Sequence, residues 1–361
     1  MVLGLARAIR AESSLDFATL EIDDSDRKAA EAVVDIYEHF DSVRQWPGVD
    51  VDFEYILTGG TIQVPRYLPC ALASELETTP APSTPKVLTV GKLGLLDTIQ
   101  WIAHEVTSPT NGFVEVTPQF LGLNFRDLLL AMGIVDDSPT NMGIEASGTV
   151  TKVGPNVHNL AIGDTVMLLS AGGCFASPIV VSEKLCAKVS DDLPLEEAAT
   201  MPCVFSTVIH SLLNVARIEK GQSVLIHSGA GGVGQAAIQI SQHVGAIVYT
   251  TVGDKEKAEY MMEMYKIPSD HILDSRSSSF LSDVMQATRG EGVDVVLNSL
   301  SGELLHASWQ CVAPYGTMIE IGKRDIMGKG MLSMNEFLHN RAFIGVDMAQ
   351  IAREKPDLVQ R

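Results

Sequence analysis

One glycine-rich turn constrains this chain more than any other feature. His227-Ser228-Gly229-Ala230-Gly231-Gly232-Val233-Gly234 lies between a short apolar strand pattern, Ser223 to His227 (SVLIH), and a helical pattern, Val233 to Val244 (VGQAAIQISQHV). Gly229, Gly231 and Gly234 make G-x-G-x-x-G. Alone the triplet is a weak signal; a strand before it and a helix after it make it specific. The first glycine permits a tight turn. The second removes a side chain where a diphosphate must approach the backbone, and the third lets helix and strand pack closely. The helix start then offers backbone N–H groups and the positive end of the helix dipole to an anion.

The surrounding rhythm agrees. Strand patterns at Ala246 to Val252, His271 to Leu273, Val293 to Asn298 and Gly316 to Ile321 alternate with helical patterns at Lys255 to Tyr265 and Phe280 to Thr288. Strands separated by helices predict a doubly wound parallel sheet, a Rossmann dinucleotide-binding domain over residues 196–340. Residues 85–195 are strand-rich and punctuated by glycine, which predicts a compact β-rich domain. Residues 1–84 differ again. Asp26 to Phe40 reads as an amphipathic helix with Ala29, Val33, Ile36, Tyr37 and Phe40 on one face, followed by short strands near Val51 to Ile56 and Thr61 to Val64. Glu77 to Pro85 (ETTPAPSTP) reads as a proline-rich linker.

Charge narrows the function. Among 361 residues, 45 acidic against 26 basic side chains give a net charge of −19, which argues against gripping nucleic acid or an anionic membrane surface. No run approaches the roughly 18 apolar residues of a spanning helix. Five scattered cysteines, an odd number, suit free thiols in a reducing, cytoplasmic setting. The nine histidines form no triad with a serine elbow, which sets hydrolase chemistry aside.

The second strand ends at Val252-Gly253-Asp254-Lys255-Glu256-Lys257, where ribose selectivity is read. Lys255 and Lys257 can hold a 2′-phosphate by charge, whereas Asp254, about twenty residues past the last glycine, suits a free 2′-OH. The local signal is divided between the two dinucleotides.

Four motifs in order carry a resemblance. They are Leu123-Asn124-Phe125-Arg126-Asp127, the stretch HSGAGGVGQAAIQIS from His227, Leu297-Asn298-Ser299-Leu300-Ser301-Gly302, and Ile319-Glu320-Ile321-Gly322-Lys323-Arg324-Asp325-Ile326. Together they resemble the enoyl reductase domain of fungal highly reducing polyketide synthases, on the zinc-independent, quinone-reductase-like side of the medium-chain dehydrogenase/reductase superfamily. The likeness runs from about Val87 to the C-terminus. The first 84 residues look like the tail of a ketoreductase-like structural region plus linker. The resemblance implies a GroES-like substrate domain beside the Rossmann domain, with the active site in the cleft between them. It also implies that the last residues, 341–361, begin a return to the GroES-like domain whose closing part is missing.

The implied chemistry is reduction of an α,β-enoyl thioester on an acyl carrier protein, with NADPH as hydride donor. Such a reaction needs positioning of the hydride donor, donors for an enolate oxygen, and a proton for Cα. The resemblance makes Lys323 the proton donor and Asp347 its partner; it places Asn124 near the nicotinamide. Taken from the residues alone, Lys323 reads first as a surface lysine in a charged turn, Lys323-Arg324-Asp325. Thr207 and Ser299 are expected nicotinamide-side contacts. Gly229, Gly231, Gly232, Val233, Gly234, Lys257 and Gly322 complete the expected cofactor site. No metal is expected, because Gly143-Ile144-Glu145 has an apolar residue where zinc relatives have His, and no closely spaced cysteine cluster is present. The other synthase domains and a second copy of the chain are the expected partners. A catalytically silent scaffold fragment and a free-standing quinone or enone reductase are the alternative readings.

Overall fold

A computed structural model describes residues 2–13, 17–22, 27–44, 51–65, 84–135 and 137–361. The chain forms two units, Met1–Thr79 and Pro80–Arg361. The expected proline linker lies outside the described residues up to position 83.

The first unit contains α1 (Val2–Ser13), β1 (Thr19–Ile22), α2 (Arg27–Val43), β2 (Glu54–Thr58) and β3 (Thr61–Gln63). Its sheet runs β1-β2-β3, with β1 parallel to β2 and β3 antiparallel. Ala29, Ala32, Ile36 and Phe40 are the buried stripe of α2. Val33 and Tyr37, expected on that face, are 51% and 70% exposed because they sit on its shoulder rather than its centre.

The second unit opens with the β-rich part: β4 (Lys86–Val90), β5 (Ile99–Ala103), β6 (Phe113–Leu121), α3 (Phe125–Ala131), β7 (Glu145–Val153), β8 (Thr165–Leu169), β9 (Ala176–Ser177), β10 (Ile179–Ser182) and β11 (Cys186–Lys188). A five-stranded antiparallel sheet has the order β10-β6-β7-β8-β11, and a three-stranded one has the order β5-β4-β9. Val114, Val116, Ala146, Val150, Val166, Leu168, Ile179 and Val181 fill the core between the strands.

Next come α4 (Leu195–Ala198) and α5 (Pro202–Val208), the latter continuing as a π-helical stretch over Ile209–Val215. The chain proceeds through β12 (Ser223–Ile226), α6 (Gly232–Val244), β13 (Ile247–Val252), α7 (Lys255–Tyr265), β14 (Ile272–Asp274), α8 (Ser279–Ala287), β15 (Val293–Asn298), α9 (Glu303–Gln310), β16 (Val312–Glu320), α10 (Arg324–Met327), β17 (Ala342–Gly345), α11 (Met348–Glu354) and α12 (Pro356–Gln360). The six strands are all parallel, in the order β14-β13-β12-β15-β16-β17. The chain reverses direction between β12 and β15, and in such a sheet ligands bind at the carboxyl ends beside that reversal.

This sheet is apolar on both faces, which is why its strands read as short continuous apolar runs. Val224 and Ile226 of β12, with Val295 and Leu297 of β15, enter the core under α5, α6 and α11. Their neighbours Leu225 and Val296 enter the opposite core with Phe280 of α8 and Leu305 and Trp309 of α9. Strand β17 lies within 341–361, the stretch expected to begin the return to the β-rich domain. It pairs with β16 instead, and Met348 and Ile351 of α11 pack on the sheet core, so the doubly wound layer extends beyond residue 340. α12 reaches back, through an ion pair of Asp357 with Lys184 (2.5 Å).

Trp309 is 1% exposed and sits among the rings of Phe337 and Phe343, with centroids 5.0 and 6.0 Å away. Trp309→Ala therefore lowers unfolding free energy by about 3–5 kcal/mol, read as a shift of the urea midpoint at unchanged slope.

Candidate active site

Two facts shape the glycine turn: Ser228 carries the left-handed backbone, with φ 57°, and a Cβ on Gly229 would fall 2.0 Å from Thr250 Oγ1. The first glycine thus serves mainly by lacking a side chain, not by supplying the left-handed residue of the turn. Gly234 is equally confined, since a Cβ there would lie 2.4 Å from Ser228 O and 2.6 Å from Gly229 Cα. Gly231 is exposed, and a Cβ there would meet Ser228 O at 3.2 Å, a close contact but far looser than the one at Gly234. Gly231 is also the N-cap of α6 and brings no capping side chain. The amides of Gly232, Val233 and Gly234 have no acceptor four residues back within the helix and remain for an anion. The cradle fits a dinucleotide diphosphate.

His227 anchors the turn from below. Its Nδ1 lies 3.1 Å from Thr251 Oγ1 and its Nε2 lies 2.8 Å from Ser308 Oγ. Ser308 Oγ donates to Leu304 O (2.7 Å), so it accepts from His227 Nε2–H. Burial pushes this histidine down to about 3, and the ring stays neutral.

The residues expected to read the ribose lie at the start of α7. Asp254 caps α7: its Oδ1 accepts from Lys257 N–H (2.9 Å) and its Oδ2 pairs with Lys257 Nζ (2.9 Å). The backbone bond first, then the ammonium, hold this carboxyl below its usual range. Arg276, which the sequence did not single out, lies here too: a Cβ on Gly253 would sit 3.4 Å from Arg276 Nε.

At the carboxyl ends of β15 and β16, Asn298 and Glu320 stand directly opposite one another and are 0% and 2% exposed. Gly322 N–H donates to Glu320 Oε1 (2.5 Å), and Asn298 Nδ2 donates to Glu320 Oε2. Asn298 Nδ2 also donates to Leu300 O (2.9 Å). Burial pushes Glu320 up to about 7; the two hydrogen bonds oppose that rise and the charge of Asp325 adds to it. The loops bearing Ser299 and Gly322 meet, since a Cβ on Gly322 would lie 3.5 Å from Ser299 O and 2.6 Å from Glu320 Oε1.

Lys323 Nζ donates to Asp347 Oδ2 (2.7 Å). Asp347 is the N-cap of α11 and accepts from the amides of Ala349 and Gln350. Partial burial works against its ionisation, but Lys323 and those amides outweigh it and hold the carboxyl below its usual value. The Lys323 side chain is 47% exposed. Asp325, the nearer acid in sequence, turns away and accepts from Gly302 N–H (3.0 Å).

On the β-rich side, Asn124 Nδ2 donates to Glu145 Oε1 (2.8 Å), and Glu145 Oε2 accepts from Cys203 N–H (2.8 Å) at the start of α5. Asp127 ties the same corner by accepting from Asn124 N–H (2.9 Å) and Gly143 N–H (2.8 Å). Burial raises Glu145 above the usual carboxylate range, against the bonds from Cys203 and Asn124. Asn124 thus spends its amide hydrogens within the protein, on Glu145 and Gly122 O. Its hydrogen bonds are separate from the Lys323–Asp347 pair. Thr207 Oγ1 donates to Cys203 O (2.7 Å) within its helix and keeps only an acceptor lone pair to offer. Sequence reading passed over Glu145, Asp127 and Glu320 as site residues, although a lone acid in an apolar strand (GIEASG, MIEIG) is the signal that finds Glu145 and Glu320. Among the described residues no three His, Cys, Asp or Glu side chains gather as a metal site requires. No described helix is long and apolar enough to cross a membrane.

Comparison with known proteins follows this geometry. Residues 110–191 match the alcohol dehydrogenase GroES-like domain and residues 232–361 match the zinc-binding dehydrogenase family. The chain is 49% identical over 351 residues to the highly reducing polyketide synthase gloL of Glarea lozoyensis, covering 97% of this chain and 14% of that synthase. It is 32% identical to CurK enoyl reductase, with a TM-score of 0.69 over 77% of this chain and 85% of that one. A mycobacterial protein solved in complex with NADPH, Rv1454c, is 25% identical with a TM-score of 0.65 over 76% of this chain and 85% of that one. The chain thus spans about a seventh of the curated synthase it matches. With the GroES-like part, the six-stranded parallel sheet and these likenesses together, the chain belongs to the enoyl reductase family of the medium-chain dehydrogenase/reductase superfamily.

Proposed function

We propose that this chain is an enoyl reductase module that adds hydride to Cβ and a proton to Cα of an enoyl thioester on an acyl carrier protein, using NADPH, during polyketide chain extension. The carrying observation is the start of α6, where the first amides lack helical acceptors and no capping side chain covers them, in a chain of the enoyl reductase family. The dinucleotide supplies the hydride. The amides of Gly232, Val233 and Gly234 hold its diphosphate. Thr207, Ser299 and Gly322 border the nicotinamide end. Lys257 and Arg276 meet the 2′-phosphate, with Asp254 orienting Lys257; the NADPH in the mycobacterial relative supports this choice over NADH.

Lys323 holds the proton that goes to Cα, and Asp347 orients its ammonium. Asn124 borders the nicotinamide end, its amide held in place by Glu145. The natural setting is the cytoplasm, in keeping with the free thiols of Cys174, Cys186, Cys203 and Cys311. The partners are carrier-bound enoyl chains, the remaining domains of a synthase and a second copy of the chain.

Three outcomes test this reading. Oxidation of NADPH at 340 nm with a crotonyl thioester is expected, and Lys323→Ala lowers kcat by about 10²-fold or more while NADPH affinity changes little; full turnover in the variant would leave water as the proton source. Gly231→Ala keeps a Tm closer to native than Gly234→Ala and loses at least about tenfold in NADPH affinity, because a Cβ meets backbone at 3.2 Å in the first and at 2.4 Å in the second. Arg276→Ala cuts the NADPH-over-NADH preference by about tenfold or more in paired titrations and leaves NADH affinity unchanged.

A further inference from the structure

We infer that Glu320 is a positioning residue: its buried carboxylate clamps the loops bearing Ser299 and Gly322–Lys323 in one arrangement and thereby sets how tightly the crevice takes a dinucleotide. The inference rests on the reading above that these loops receive the dinucleotide.

The geometry is that of a bracket. One oxygen takes the Gly322 amide and the other takes the Asn298 side chain, whose same nitrogen reaches Leu300 O in the neighbouring loop. Both loops leave the ends of adjacent parallel strands, and Ile321 N–H donates to Asn298 O (3.0 Å), completing the join. Glycine at 322 is forced by the same carboxylate, which stands 2.6 Å from where a Cβ would be. A buried acid at the end of an apolar strand carries a desolvation cost, and its two donors would be left unsatisfied without it.

Only an ionised carboxylate accepts on both sides. A protonated acid, or a carboxamide, turns an O–H or N–H toward one of the two donors and opens the bracket there. The charged groups around it are Asp325 of α10, which favours protonation, and the Lys323–Asp347 pair. On β15 its neighbour is the uncharged Asn298, and on β17 it is Gly345. Titration near 7 is the consequence, so the bracket is whole above that pH and opens below it.

The test measures Kd for NADPH and NADH by dihydronicotinamide fluorescence from about pH 5.5 to about 8.5 in the wild type, Glu320→Gln and Gly322→Ala. NADH is included because it lacks the 2′-phosphate, which titrates near about 6. For both ligands the wild type is expected to weaken about five- to tenfold toward acid. With NADH the midpoint is near 7, and Glu320→Gln is flat at the wild type's acidic value. Gly322→Ala opens the bracket from the loop side, and its NADH profile is also expected to be flat; this keeps the test open if Glu320→Gln does not fold. A wild-type NADH profile that is flat, or variants that keep the wild-type pH dependence, would overturn the inference while leaving the cofactor reading standing. Failure of the wild type to bind either dinucleotide at any pH would overturn the cofactor reading, and the inference with it.

Discussion

The first turn of α6 approaches the end of β12 so closely that no side chain fits between them, and the rest of the site depends on that contact. Thr250 occupies the space beside Gly229, and Ser228 O with Gly229 Cα occupies the space beside Gly234. Such proximity aims the free amides of α6 along the carboxyl edge of the sheet, at the reversal between β12 and β15. Two apolar cores, one on each face, hold strand and helix in this relation. Because the cores alternate residue by residue along β12 and β15, a register slip of one residue would exchange every side chain between them.

Around this rigid frame lies an unusual concentration of buried polar groups. His227, Asn298, Glu320, Asp127 and Glu145 are all buried, and each carries side-chain hydrogen bonds that tie a loop or helix start to its neighbour. An unpaired group in these places would cost about 1–3 kcal/mol, so each bond fixes a loop as well as satisfying an atom. Function and stability are therefore coupled at the strand ends. The groups that face the crevice, Lys323, Lys257 and Asn124, are supported by acids set behind or beside them: Asp347, Asp254 and Glu145.

Most of the doubly wound sheet was legible because its signals are local. Lys255–Tyr265 and Val293–Asn298 have the bounds their periodicity predicts, and the glycine turn falls where strand gives way to helix. The pairing of Lys323 with Asp347 was legible only through resemblance, since 24 residues separate them. What escaped is what long-range packing decides. Val33 and Tyr37 share the helical spacing of their buried neighbours and yet lie outside the stripe. The short strand Ala342–Gly345 carries too few residues to announce itself, and only its register beside β16 makes it the sixth strand. Arg276 lies beside Gly253 because β14 runs parallel to β13, a fact of topology that spacing along the chain does not contain. The partner of the Asn124 amide escaped as well, because Glu145 lies 21 residues away in the chain.

The most direct measurement is a crystal structure of the chain grown with NADPH. The account predicts the diphosphate on the amides of Gly232 to Gly234 with no side chain between, the 2′-phosphate against Lys257 and Arg276, and the nicotinamide beside the Ser299 and Gly322 loops. A diphosphate seated anywhere else on the sheet edge, with the glycine turn left to packing alone, would contradict it.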